Sequence, residues 1–167
     1  MPYDVAISEE AVRCLIDVRA GAGERGAFNA ALGFDLPDSA GRTVSAGTTS
    51  ALWIGPDEWL VVAPVDAEAA LFARLDAAVA DRYAAATLVS DAYVVFQLRG
   101  AEVAAVLGQA TGIDLHSSKF GPGRCARTAF AKTAAVIHRV DDLTYDVYVE
   151  ASFRRYVRQW LAAARGR

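Results

Sequence analysis

Residues 33–37 read Gly33-Phe34-Asp35-Leu36-Pro37, and residues 112–116 read Gly112-Ile113-Asp114-Leu115-His116. The two stretches lie 79 residues apart, and the same offset sets Gly21 on Gly100, each just after a strand-like run. Outward from the first anchor, Val12, Cys14, Ile16 and Val18 alternate with Arg13, Asp17 and Arg19, a period of two that predicts a strand with one wet face. Residues 24–32 predict a short helix with Gly33 as its C′ cap. Pro37, Asp38, Ser39 and Gly41 make a turn. Strands follow near 42–47, 51–54 and 59–63, the last two forming a hairpin across Gly55-Pro56-Asp57-Glu58. Asp66 is expected to cap a helix over 67–80, with Ala67, Ala70, Leu71, Leu75 and Ala78 at helical spacing.

The second half runs in the same order. A strand over 92–99 leads to a helix over 101–109 and a long loop from Gly112 to Gly123. Strands over 125–131, 134–140 and 144–149 follow, with Asp141-Asp142 as a turn. Ser152 is expected to cap a last helix, whose stripe is Phe153, Tyr156, Val157, Trp160, Leu161 and Ala164. Both halves therefore read β-α-β-β-β-α, a divergent duplication with halves at about 11–82 and 90–165. No Pro/Gly/Ser-rich linker separates them, so a single domain over 1–167 with one shared core is expected. Period-two strands imply an α+β fold of mainly antiparallel sheets with helices packed on them.

Composition narrows the function classes. With 167 residues, 54% apolar and 22% charged, the chain is too hydrophobic to be disordered. No apolar run reaches the ~18 residues of a membrane span, and acidic Met1 to Glu10 does not read as a signal peptide. A net charge of −3 offers no basic field for nucleic acid or an anionic membrane. Cys14 and Cys125 sit in apolar runs and read as two buried free thiols in a reducing cytoplasm.

The chemistry-bearing motifs are few. Gly21-Ala22-Gly23-Glu24-Arg25-Gly26 matches G-x-G-x-x-G, but the helix behind it ends by Gly33 and 42–50 holds no acid for a ribose, so a glycine-rich turn is the better reading. His116 and His138 are the only histidines; neither has a companion at metal-ligand spacing. His138 reads as a packed strand residue. His116 lies beside Asp114, Ser117 and Ser118, yet local adjacency does not supply a converging triad. The segment 115–124, with Lys119, Phe120, Pro122 and Arg124, reads equally as a contact surface or as a crossover that needs glycines to turn. Trp53 and Trp59 flank the hairpin turn and fit either core packing or an interface pair. Arg154, Arg155, Arg158, Arg165 and Arg167 make the C-terminal end basic, as a solvated face or for an acidic partner. The candidate interface residues are thus Trp53, Trp59, His116, Lys119, Phe120 and Arg124. No catalytic, cofactor-binding or metal-ligating residue is assigned.

Residues 51–60, Ala51-Leu52-Trp53-Ile54-Gly55-Pro56-Asp57-Glu58-Trp59-Leu60, resemble a signature of the gamma subunit of heterotetrameric bacterial sarcosine oxidase. Asp114-Leu115-His116, Phe120, Pro122-Gly123-Arg124-Cys125-Ala126 and Thr128 resemble a second block of that family. Ala131-Lys132, Ile137-His138-Arg139, Ser152-Phe153, Trp160-Leu161, Ala31-Leu32-Gly33 and Leu36-Pro37 extend the likeness over nearly the whole chain. Val89-Ser90-Asp91-Ala92-Tyr93 departs from it, with bulky Tyr93 near the start of the second repeat. The resemblance implies a fold like the folate-binding domain of the glycine-cleavage T protein. It further implies a cytoplasmic, non-catalytic subunit of an enzyme that oxidatively demethylates sarcosine to glycine, with alpha, beta and delta subunits as partners. FAD, FMN, NAD and tetrahydrofolate would then sit in the partner subunits and none in this chain. The alternative is a stand-alone tetrahydrofolate-binding or aminomethyltransferase-like module. That would need a deep pocket with an acid near a pterin; Asp35 and Asp114 are the acids to inspect, and their matched repeat positions point to a structural role.

Overall fold

The computed structural model describes residues 2–166, so Met1 and Arg167 lie outside the described residues. The chain divides into two units, Val12–Ser90 and a second made of Met1–Ala11 with Asp91–Arg167.

In the unit Val12–Ser90, strand β2 (Cys14–Ala20) leads to helix α1 (Arg25–Leu32), then β3 (Thr43–Ala46), β4 (Thr49–Gly55), β5 (Glu58–Ala63), helix α2 (Glu68–Val79) and β6 (Ala84–Leu88). The sheet order is β3-β4-β5-β2-β6, with every pair antiparallel. Cys14, Ile16, Val18 and Ala20 face the core with Phe28 of α1 and Leu71, Leu75 and Val79 of α2. The apolar face of α2 therefore closes on Val79, and Ala70 is exposed.

The second unit begins with β1 (Ala6–Glu9) and resumes at β7 (Tyr93–Arg99), helix α3 (Val103–Gly108), β8 (Arg124–Phe130), β9 (Thr133–Arg139), β10 (Thr144–Glu150) and helix α4 (Arg154–Ala164). Its order is β1-β7-β10-β9-β8, again antiparallel throughout. The duplicated α+β reading is thus correct in element order. Val94, Phe96 and Leu98 face a core with Val106, Leu107, Val157 and Leu161.

Four local expectations change. Strands β1 and β6 are additional to the β-α-β-β-β-α pattern, one closing each sheet. Asp66 does not cap α2: the helix is entered through a 3-10 turn, Val65–Ala67, with Ala67 N–H bonded to Pro64 O at 3.1 Å, and no side chain caps it. Ser152 likewise lies in a 3-10 turn, Ala151–Phe153, and α4 has no side-chain cap. A tight turn shares out the orphan amides of a helix start without a capping side chain. Finally, the 79-residue offset does not run through the first strands. Core-facing residues are even-numbered in both β2 and β7, and side chains alternate sides along a strand, so those strands correspond only at an even offset.

The anchors themselves behave alike. Leu36 and Leu115 are buried plugs in their respective cores, and Phe34 and Ile113 pack partly buried beside them. Gly33 takes φ +80° and its N–H bonds Asn29 O at 2.9 Å, closing α1 as expected.

Candidate functional site

Trp53 and Trp59 stand directly opposite each other on β4 and β5. Trp59 is buried, and its Nε1–H donates to Pro37 O at 2.8 Å. Trp53 is half-buried against the same core. The pair packs as a structural element of the first unit, with the buried indole N–H satisfied as such a group requires.

In the segment 115–124 the side chains split by side. Leu115 and Phe120 turn inward, Phe120 stacking on Tyr145 with ring centroids 6.4 Å apart. His116, Ser117, Ser118 and Lys119 stay exposed, and Arg124 is half-buried. One buried cation holds the segment. Arg139, 6% exposed, donates to Phe120 O at 2.8 Å, Asp142 O at 2.9 Å and Asp141 O at 3.2 Å, with its guanidinium 5.3 Å from the Tyr145 ring centre. Burying a guanidinium is tolerable only when its donors are used up in this way. The crossover is therefore a rigid mount for an exposed tip, His116 to Lys119.

At that tip His116 Nδ1 and Ser118 Oγ lie 2.8 Å apart, but Asp114 Oδ1 accepts from the His116 backbone N–H at 2.9 Å. The carboxylate thus fixes the turn and does not orient the imidazole, which a triad requires. Asp35 accepts from Asn29 Nδ2 at 2.7 Å while Asn29 Oδ1 accepts from Leu36 N–H at 2.9 Å. Both repeat acids stitch their own loops. His138, on β9, stands between Cys125 on β8 and Asp146 on β10, with Gln97 Nε2 donating to Asp146 Oδ1 at 3.0 Å. All three of Cys125, His138 and Asp146 are more than nine-tenths buried, so this row offers no access to a substrate. Cys14 and Cys125 are both buried and in no disulfide, and burial with the Glu68 carboxylate nearby pushes the Cys14 thiol up to about 11. A buried thiol held protonated is an inert one.

The G-x-G-x-x-G segment opens α1, but α1 leads to an edge strand of an antiparallel sheet and not across to a parallel one. The dinucleotide geometry is absent. Beside Gly21 lies an open groove of about 500 Å³ between the β4–β5 turn and the start of β6, with Arg19, Pro56, Arg82 and Tyr83 among its walls. Arg19 binds Glu58 at 2.8 Å and Asp17 at 3.3 Å; Arg82 binds Glu24 at 3.0 Å. Burial and the Glu58 carboxylate hold the Asp17 carboxyl above the usual aspartate range, partly offset by Arg19. Sequence reasoning missed this groove because β6, which forms one wall, was not foreseen. The basic face of α4 is partly spent inside its own unit: Arg154 and Arg158 both bond the Glu9 carboxylate of β1. Among the described residues no cluster of three or more His, Cys, Asp or Glu side chains is placed to hold a metal. No helix there is long and apolar enough to cross a membrane.

This arrangement of two antiparallel sheets with packed helices is also that of glycine cleavage system aminomethyltransferase T from Bartonella henselae. It aligns with 94% of the chain and 45% of that protein at a TM-score of 0.70 and 15% identity. The fold class is accordingly aminomethyltransferase-like. A family model, "Sarcosine oxidase, gamma subunit family", matches residues 19–167, and the chain belongs to that family. It is 33% identical over 165 residues to the sarcosine oxidase subunit gamma of Corynebacterium sp. (strain P-1), covering 96% of this chain and 79% of that one. A chain of the heterotetrameric sarcosine oxidase of Corynebacterium sp. U-96, solved with pyrrole 2-carboxylate, superposes with a TM-score of 0.91 at 30% identity, covering 96% of this chain and 83% of that one.

Proposed function

We propose that the chain is the gamma subunit of a heterotetrameric sarcosine oxidase, assembling with alpha, beta and delta subunits in the cytoplasm. It serves assembly, while oxidative demethylation of sarcosine to glycine runs on FAD, FMN, NAD and tetrahydrofolate held by the partner subunits. The observation that carries this reading is the TM-score of 0.91 over 96% of the chain to a chain of such a heterotetramer. The distribution of its own polar groups agrees. The repeat acids Asp35 and Asp114 and the buried Arg139 are engaged in holding loops, and the Cys125–His138–Asp146 row is buried within its sheet. His116 and Lys119 remain exposed on a rigid tip, as contact residues would.

A tagged chain recovered from its native host, with mass spectrometry and a visible spectrum of the eluate, tests the reading. Two larger subunits and a small one with flavin absorbance are expected. A lone, colourless chain that binds tetrahydrofolate saturably would overturn it in favour of a stand-alone folate module.

A further inference from the structure

We infer that the free edge of β6 is a docking site for an extended segment of a neighbouring subunit, which adds to this sheet as a sixth strand. The inference rests on the reading that the chain works inside a heteromeric assembly.

The hydrogen-bond parity of β2 decides which amides of β6 are free. Ala20 N–H bonds Asp57 O at 3.0 Å, toward β5, whereas Leu15 O accepts Val89 N–H at 2.9 Å, on the β6 side. Bonding direction alternates along a strand. Even-numbered residues of β2 therefore pair with β5 and odd-numbered ones with β6. Asp17 is opposite Thr87 and Arg19 opposite Ala85, so Ala85 and Thr87 bond to β2. Ala84, Ala86 and Leu88 are left with N–H and C=O pointing outward, and β6 is the last strand of its sheet.

Native edges are blunted by charge, proline, bulges or extreme shortness. The other edges follow this rule. Strand β1 is four residues long and carries Glu9, bound by two arginines. Strand β8 carries Arg124 and Arg127, and β3 is four residues long. Ala84-Ala85-Ala86-Thr87-Leu88 has none of these devices. It is uncharged, ends in Leu88 at 40% exposure, and follows Tyr83 at 96% exposure. An aromatic wholly in water beside an unpaired backbone ladder is the anchor-plus-ladder layout of strand addition.

The occupant follows from what is present. The outward ladder recognises an extended backbone. The groove at the start of β6 receives one large side chain against Tyr83 and Pro56. Its cations, Arg19 and Arg82, are already matched by Glu58, Asp17 and Glu24, so that side chain is uncharged. A second copy of this chain is a poor occupant. Two five-residue edges fall far below the about 20–30 residues per side of a stable interface, whereas a large subunit that contacts the chain elsewhere can place a strand here.

Hydrogen exchange with residue-level fragmentation on the intact co-expressed complex tests this. Ala86 and Leu88 amides should exchange about 100-fold or more slowly than an open edge allows, as slowly as Ala85 and Thr87. Rapid exchange at Ala86 and Leu88 in an intact complex overturns the inference. A wild-type chain that recovers no partner overturns the parent reading instead, and this one with it. Ala86→Pro removes an outward N–H that β2 does not use, so the sheet should survive while recovered partner falls about tenfold or more. Thr87→Lys, on an exposed side chain, should weaken assembly without touching the ladder. Wild-type recovery by a folded Ala86→Pro chain, or native mass showing two copies of this chain per particle, also overturns it.

Discussion

The unit Val12–Ser90 and the unit built from Met1–Ala11 and Asp91–Arg167 share one strand order, yet they take their fifth strand from different places. Strand β6 precedes β7 in sequence but pairs with β2; β1 precedes β2 but pairs with β7. Each edge strand has thus been exchanged between the repeats. The sequence repeat is not the packing unit, and the N-terminal segment is bound into the second unit at several points. Glu10 N–H bonds Val95 O, Tyr3 N–H bonds Arg165 O, and Asp4 N–H bonds the Glu102 carboxylate. The first unit has no such strap and closes its last turn with Ser90, whose Oγ accepts from Leu15 N–H and donates to Glu68.

The comparison is broken most forcefully at the loops behind the repeated Asp-Leu. Both units send a strand side chain to catch a loop carbonyl: Trp59 to Pro37 O in one, Arg139 to Phe120 O in the other. The first is a single neutral bond; the second is one of three from a buried charge, with hydrogen bonds to charged groups contributing about 1.5–3 kcal/mol. Arg139→Met should cost about 3 kcal/mol in urea unfolding and admit protease at 116–124. Trp59→Phe should cost about 1 kcal/mol. Equal costs would show that the second loop does not depend on one cation.

The strap can be tested at the glycine pair. A Cβ on Gly100 would lie 2.3 Å from Asp4 O, and Gly100 has φ +146°, a conformation other residues rarely adopt; a Cβ on Gly21 meets nothing within 4 Å. Gly100→Ala should therefore cost about 2–3 kcal/mol and speed exchange of the Tyr3 amide. Gly21→Ala should fall within about 0.5 kcal/mol of wild type. A mild effect at Gly100 would mean that the strap lifts off at little cost.

These pairs also mark how far the sequence carries. The Leu36 and Leu115 plugs, the Gly33 cap, the 51–63 hairpin with its opposed tryptophans and the two buried thiols are legible because each follows from local pattern or composition. The edge strands are not. Ala84-Ala85-Ala86-Thr87-Leu88 has weak strand propensity, and Ala6–Glu9 is only four residues, so both owe their extension to the strand they pair with. Asp66 and Ser152 look like caps because the residue type is right, and a 3-10 turn takes their place. In the candidate interface, the exposure of His116 and Lys119 is what a polar loop implies. That Phe120 turns inward depends on Arg139 and Tyr145, which arrive from about twenty residues further along the chain.

A smaller contrast lies in the equivalent hairpins. The β3–β4 turn uses Gly47 at φ +58°, whereas the β8–β9 turn puts Ala131 at +46° and Lys132 at +69°. Two successive positive φ values suit Asn-Gly and strain other residues. The second turn survives because Ala131 N–H bonds Ala110 O at 2.9 Å and Ala131 O accepts from Tyr156 OH at 2.5 Å. Lys132→Gly should stabilise by about 0.5–1 kcal/mol and Gly47→Ala destabilise by about 1 kcal/mol. Thermal shifts of opposite sign are expected, and shifts of the same sign would mean that the two turns are not strained alike.

The smallest effect is a difference of sign between the two units on acidification. Glu9, held by Arg154 and Arg158, has its carboxyl below the usual value of 4.5. Asp17, half-buried beside Glu58, sits above the usual 3.8. A lowered carboxyl contributes stability that is present above its unfolded value and lost as pH falls through the folded one; a raised carboxyl favours the fold only while protonated and loses that contribution as pH rises. Glu9→Gln should therefore destabilise at pH 7, with the gap to wild type closing in acid. Asp17→Asn should stabilise at pH 7, with its gap closing below 3.8. Unfolding midpoints at neutral and acid pH read both. Since Arg154 and Arg158 are mostly in water, added salt should shrink the Glu9 effect more than that of the half-buried Asp17. The first unit would then carry its acid as a burden relieved by protons, and the second as a fastening undone by them.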